Sequence, residues 1–94
     1  MSAARTVRVR ISGRVQGVWF RGWTEREATR RGLAGWVKNR SDGTVEAVFH
    51  GAAEIVEGMI AECWRGPGAA KVVNVAVEPA TDVPPPGFRQ LSDE

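Results

Sequence analysis

Apolar and charged positions alternate near the start of the chain, where Val7, Val9 and Ile11 are separated by Arg8 and Arg10. A period of two marks a strand with one buried and one wet face. Residues 22 to 31 lose that alternation and are rich in Glu, Arg, Thr and Ala, with Gly32 placed where a left-handed C-terminal cap belongs, so they predict a helix. Its apolar side is thin: Trp23 and Ala28, helped by Phe20 from the preceding loop. Arg31 ends the segment with a charge, although an arginine stem can still cover apolar surface. Leu33 to Asn39 and Thr44 to His50 read as two antiparallel strands joined by a tight turn at Arg40-Ser41-Asp42-Gly43, because Asp-Gly between apolar runs is a strong hairpin signal. From Ala52 the period becomes helical, and Ile55, Val56, Met59, Ile60, Cys63 and Trp64 define one apolar stripe that Gly66-Pro67-Gly68 stops. Lys71 to Glu78 alternates again through Val73, Val75 and Val77, and a proline-rich link leads to a short strand at Phe88 to Leu91. With polar Gln90 inside it, that strand is expected at an edge with a frayed end.

The order β-α-β-β-α-β plus a short last strand is the split βαβ arrangement. It predicts an α+β, ferredoxin-like fold: an antiparallel sheet with two helices on one face and an extra C-terminal edge strand. At 94 residues the chain is expected to be a single domain, spanning 1–94. Apolar residues at 43% and charged residues at 26% argue against disorder and against a coiled coil. There is no run of about 18 apolar residues and no signal-peptide pattern, so no membrane association is expected. The single cysteine, Cys63, has no internal partner for a disulfide, which suits a reducing compartment, and a cytoplasmic location is expected. A net charge of +2 suits an anionic substrate or a nucleic acid equally well.

The candidate chemistry lies in Gly13-Arg14-Val15-Gln16-Gly17-Val18-Trp19-Phe20-Arg21. Two glycines four positions apart let the backbone curl with positive φ, so that successive N–H groups can point into one concavity as an anion nest. Arg21 follows at the expected helix start, where a guanidinium can grip two phosphate oxygens and the helix N-terminus adds positive potential. Taken alone, two glycines and an arginine are better read as an ordinary glycine-containing turn. A second stretch changes this: Gly35-Trp36-Val37-Lys38-Asn39-Arg40-Ser41-Asp42-Gly43-Thr44-Val45, with Gly51 beyond it. Together, and with Ile11-Ser12 ahead of the first, the two stretches resemble the acylphosphatase family, matching its I/V-x-G-x-V-Q-G-V-x-F-R and G-W/Y/F-V-K/R-N-x-x-x-G-x-V patterns at every fixed position. The resemblance runs from about Thr6 to Leu91, the expected core, with short polar tails outside it.

The resemblance implies hydrolysis of the carboxyl–phosphate bond of acyl phosphates without a metal or cofactor. It implies phosphate binding by Arg21 and by the backbone N–H groups of Gln16, Gly17, Val18, Trp19, Phe20 and Arg21, and water positioning by Asn39. Inorganic phosphate and sulfate are expected as ligands of the same site. The leaving carboxylate has a conjugate acid of pKa roughly 4 and departs without a proton, so positioning and charge stabilisation suffice. A carboxamide at position 39 offers an acceptor for a water proton and a donor toward phosphate, whereas a carboxylate would repel the dianion. Gly13 and Gly17 read as shape-makers. Trp19 and Trp23 read as core residues or as the acyl-group side of the pocket.

Other candidates are weaker. His50 lacks a nucleophile or carboxylate partner at a recognisable spacing and reads as structural. Cys63, on the apolar stripe, reads as a small buried hydrophobe. Glu25, Glu27, Glu54, Glu57 and Glu62 read as solvated helix faces, Lys38 as a solvated residue on the sheet face opposite Asn39, and no cluster has metal-ligand spacing. A β-α-β-β-α-β domain with a pI of about 9.3 is also compatible with an RNA-recognition module. Only Phe49 offers an aromatic on the central strands, so no nucleic-acid partner is expected. A fold retained for protein contacts alone is the third reading, disfavoured by the presence of both Arg21 and Asn39. A monomer is expected.

Overall fold

Alternation and helical period together set the element order. A computed structural model describes residues 3–93, and the outermost positions of the expected polar tails lie outside the described residues. The elements are β1 (Ala4–Arg14), α1 (Phe20–Arg30), β2 (Ala34–Asn39), β3 (Val45–Ala52), α2 (Ala53–Arg65), β4 (Lys71–Pro79) and β5 (Phe88–Gln90). They form one sheet in the order β4-β1-β3-β2-β5. Inward-facing Val7, Val9, Ile11, Val37, Val45, Ala47 and Phe49 pack against Phe20, Trp23 and Ala28 of α1 and Val56, Met59 and Cys63 of α2. Both helices therefore cover one face, as the ferredoxin-like reading requires.

The four long strands pair antiparallel. The expected short edge strand is present but runs parallel to β2, through Gly35–Phe88, Trp36–Arg89 and Val37–Gln90. The cause is the link that precedes it. β4 and β5 occupy opposite edges, four strand spacings of about 4.8 Å apart, and residues 80–87 span that distance as an extended proline-rich segment. Ala80 donates to Thr6 O at 3.0 Å at one end, and Gly87 O accepts from Gly35 N–H at 3.0 Å at the other. The link thus delivers β5 to the sheet edge where β2 begins, so both strands run the same way.

Alternation also misleads in β4. A bulge between Ser12 and Gly13 lets Val72, not Val73, follow in register, leaving Val73 74% exposed. Gly13 has φ 120°, and a Cβ there would meet Lys71 O and Val73 N. Its role is to admit the β1–β4 bulge. It sits within β1, so the loop that follows owes its curl to later residues.

On α2 the apolar stripe is narrower than its period suggests: Val56, Met59 and Cys63 are buried, whereas Ile55 and Trp64 lie largely outside the core. Burial pushes the Cys63 thiol up to about 12, so it behaves as a hydrophobe. Helix α1 ends with the paired bonds of a Schellman cap, Gly32 N–H to Thr29 O at 3.0 Å and Leu33 N–H to Ala28 O at 3.0 Å. Its thin apolar face is completed by polar residues. Thr24 is buried with its hydroxyl donating to Phe20 O at 2.8 Å.

Glu27, expected in solvent, is only 8% exposed. It accepts from Arg30 at 2.6 Å and from Arg31 at 2.8 Å, one turn along the helix. Arg31 is thus held at the end of the helix by Glu27, to whose main-chain O it also donates at 3.2 Å. The hydrogen bonds from Arg30 and then Arg31 hold the Glu27 carboxyl below its ordinary 4.5, against the opposing cost of burial. A depressed pKa contributes stability that is present above the unfolded carboxyl value and lost as pH falls through the folded one. Glu27→Gln should therefore lower the melting temperature at neutral pH by roughly 4–8 °C, for a loss on the order of 1 kcal/mol. The gap to wild type should narrow as pH falls below the unfolded carboxyl value of roughly 4.3 toward the lower folded one. Thermal melts from pH 7 to pH 2 check this, and a gap that does not narrow across that range would mean that packing, not charge, keeps Glu27 in place.

Candidate active site

The loop between β1 and α1 is built from two left-handed residues. Gly17 has φ 74°, and Trp19 has φ 68° and ψ 26° at the N-cap position of α1. For an L-residue the left-handed conformation costs roughly 1–2 kcal/mol, so the surrounding structure holds Trp19 there. Its indole lies beside Gly22, where a Cβ would strike the ring, and Arg26 stacks over it at 5.0 Å. Left-handed turns in this pattern point successive N–H groups to one side. The first backbone bond of α1 runs from Trp23 N–H to Trp19 O at 3.0 Å. The amides of Phe20, Arg21 and Gly22 precede it and have no intrahelical acceptor.

Electrostatically this terminus is unusual. Among the described residues no side chain caps the helix and no acid lies in its first turn. Arg21 sits instead at the second helical position, adding a cation to the positive end of the dipole. Phe20, next to it, is buried and meets Trp23 edge to face at 5.3 Å, anchoring the loop to the core. Val18 packs partly against the same core. The two tryptophans thus separate: Trp23 is core, while Trp19 is 58% exposed on the rim.

The Arg21 guanidinium is part-buried. It donates to Leu91 O at 3.4 Å and pairs with Asp93 Oδ1 at 2.8 Å. Both partners come from the segment after β5, and the parallel direction of that strand carries the segment up to the start of α1. Neither was legible beforehand, because a lone acid in a C-terminal tail carries no spacing signal.

Asn39 ends β2. Register aligns it with Val45 of β3, and Val45 with Ile11 of β1. Asn39 therefore lies two strand spacings, about 10 Å, from β1 on the sheet edge that the loop leaves from. It shares the helix-covered face with buried Val45, while Lys38 aligns with Glu46 on the other face. Lys38 is accordingly directed away from the loop, as expected, though its ammonium lies over Trp36 at 5.3 Å and is not simply solvated. His50 is at the far end of β3, its Nδ1 2.7 Å from Thr6 Oγ1. It takes no part in the site.

The turn after Asn39 closes on itself. Gly43 N–H donates to Arg40 O at 3.1 Å and Arg40 N–H to Thr44 O at 2.8 Å. Asp42 Oδ1 accepts from the Thr44 N–H at 3.0 Å and from its hydroxyl at 2.6 Å, bonds that hold the Asp42 carboxyl below its ordinary value. Arg40 also pairs with Glu46, which is only 3% exposed although no helix covers that face. Loop and turn are joined by one side chain: Gln16 Nε2 donates to Arg40 O at 2.8 Å and to Thr44 O at 2.9 Å. Among the described residues no group of three His, Cys, Asp or Glu side chains is placed to hold a metal ion, and no helix is long and apolar enough to cross a membrane.

Comparison with known proteins agrees with this geometry over nearly the whole chain. A family model described as Acylphosphatase matches residues 7–90. An acylphosphatase of Rhodospirillum rubrum is 55% identical over 86 residues, covering 92% of this chain and 94% of the relative. An acylphosphatase structure from Coxiella burnetii superposes with a TM-score of 0.90 at 36% identity, covering 94% of this chain and 93% of that one. One from Bacillus subtilis gives 0.88 at 33% identity, covering 95% and 99%. A left-handed loop feeding an uncapped helix that begins with arginine, an asparagine on the same sheet edge, and these matches together make the chain a member of the acylphosphatase family, hydrolases that cleave acyl phosphates.

Proposed function

We propose that Arg21 and the backbone N–H groups of Gln16, Gly17, Val18, Trp19, Phe20 and Arg21 bind the phosphate of the acyl phosphate, and that Asn39 orients the attacking water. The observation that carries the assignment is the N-terminus of α1, where free amides, the helix dipole and the Arg21 guanidinium converge with no capping acid. In the reaction the water oxygen bonds to phosphorus as the bond from phosphorus to the acyl oxygen breaks. The electron pair leaves on the carboxylate and the water proton passes to solvent or to a phosphoryl oxygen. With a leaving group whose conjugate acid has a pKa of roughly 4, no general acid is required. Charge on the equatorial oxygens is stabilised by fixed donors.

Arg21 is also available to substrate. Its partner Asp93 is more than half exposed, and such surface pairs are worth about 0–1 kcal/mol, which a phosphate dianion held by several amides exceeds. Inorganic phosphate and sulfate fit the same cradle as competitive ligands. We extend the proposal to the whole chain as one acylphosphatase domain with its core at about 6–91, acting as a cytoplasmic monomer. The buried, unpaired Cys63 fits that compartment.

Two substitutions test the roles. Arg21→Lys keeps the charge but loses the planar fork, and removal of one such donor costs about 3–4 kcal/mol of transition-state stabilisation. Hydrolysis of benzoyl phosphate should fall roughly a hundredfold to a thousandfold, while circular dichroism and denaturant midpoint stay near wild type. Retention of most of the rate would remove the bidentate role, and unfolding would make the arginine structural. Asn39→Ala should lower kcat on the order of a hundredfold with KM little changed, because the phosphate keeps its own ligands while the water loses its holder. A near-normal kcat would leave Asn39 as a turn residue only.

A further inference from the structure

We propose that the side chain of Gln16 is a positioning residue for the hydrolytic water, setting the distance between the phosphate cradle and Asn39. The proposal rests on the assignment of Asn39 as the residue that holds the water. Gln16 has two parts with different tasks. Its backbone lies in the cradle, while its carboxamide leaves the cradle and reaches the β2–β3 turn. Both amide hydrogens are used there, one on Arg40 O at 2.8 Å and one on Thr44 O at 2.9 Å. With two carbonyl acceptors in front of it, the amide has one orientation, since its own oxygen turned toward them would be repelled.

These two carbonyls bracket the turn. Arg40 directly follows Asn39, and Thr44 directly precedes Val45, the residue paired with Asn39. The turn does not need Gln16 to fold: it is closed by Arg40 N–H to Thr44 O at 2.8 Å, by Gly43 N–H to Arg40 O at 3.1 Å, and by Asp42 with Thr44. Arg40 is further held by Glu46 on the uncovered sheet face. The Gln16 bonds are therefore surplus to the turn's own closure. What they add is a link between two separately formed pieces, one holding phosphate and the other ending in Asn39. In-line attack requires water and phosphorus to be placed to within a fraction of an ångström, and a misplacement of about 1 Å can cost on the order of a hundredfold in rate.

The experiment is a double-mutant cycle on the full chain: wild type, Gln16→Ala, Asn39→Ala and the double variant. Benzoyl phosphate hydrolysis, inhibition by inorganic phosphate and thermal melting are measured for each. Gln16→Ala should lower kcat about tenfold to a hundredfold, with the phosphate inhibition constant and melting temperature little changed. Introduced into Asn39→Ala, it should cost less than about a further twofold, because it acts through the residue already removed. An equal loss in both backgrounds, an unchanged kcat, or a phosphate inhibition constant that rises in step with the fall in kcat would overturn the proposal. Asn39→Ala with wild-type kcat would remove the water-positioning assignment itself and the proposal with it, an outcome distinct from the others.

Gln16→Glu decides the matter if the alanine variant does not fold. At neutral pH a carboxylate would face two carbonyl oxygens, and activity should fall at least tenfold to a hundredfold below wild type. On acidification through the carboxyl range one O–H donor returns, so the ratio to wild type should rise. A ratio that does not vary with pH would contradict the role.

Discussion

Positive charge concentrated at the start of α1 is the constraint on which the site and much of the fold depend. A helix N-terminus exposes unpaired N–H groups and the positive end of the dipole, and stability calls for an acid or a capping hydroxyl there. This helix has Trp19 at the cap in a left-handed conformation and Arg21 in its first turn. Each choice costs stability locally, and the cost is offset by packing, chiefly the burial of Phe20 and Trp23 against the sheet. Local rules broken in this way are the mark of a functional site. Here they leave a concentration of positive potential, proposed to hold phosphate, to which the chain itself supplies Asp93 as counter-charge.

The sheet supplies the rest by direction alone. β1 and β2 both point toward the edge where the loop and turn lie, so the end of each delivers one part of the proposed site: β1 the loop, β2 Asn39. β5 enters from the same end as β2 and carries Leu91 and Asp93 to Arg21. The uncovered face contributes as well. Glu46, aligned with Arg10 and Lys38 and paired with Arg8 at 3.6 Å and with Arg40, fixes the base of the turn from behind. The asparagine proposed to hold the water, at the end of its strand, is thus stiffened from both sides of the sheet.

Much of this was legible in the sequence because it is local. The strand alternation, the Asp-Gly turn and the two motifs predict the element order and the fold, and they place the curled loop at the start of α1. What escaped depends on neighbours far along the chain. Gly13 belongs to a bulge against β4, and Val73 faces out because of that same bulge. Glu27 reads as solvated in the sequence because the pairing that buries it, with Arg30 and Arg31 at the helix end, carries no apolar signal. The parallel direction of β5 follows from where residues 80–87 end, which no period encodes. The Gln16 carboxamide was hidden by its own backbone, since its motif position already accounted for the residue as an amide donor.

The proposed chemistry takes place at phosphorus, with the carboxylate only departing. Hydrolysis of benzoyl phosphate in 18O-enriched water measures this directly, because the bond that breaks decides which product keeps the solvent oxygen. Mass spectrometry should find one solvent 18O in each phosphate released and none in benzoate beyond the uncatalysed background. Label entering benzoate at the enzymatic rate would mean attack on the carbonyl carbon, and the cradle, arginine and asparagine would then have been assigned to the wrong atom.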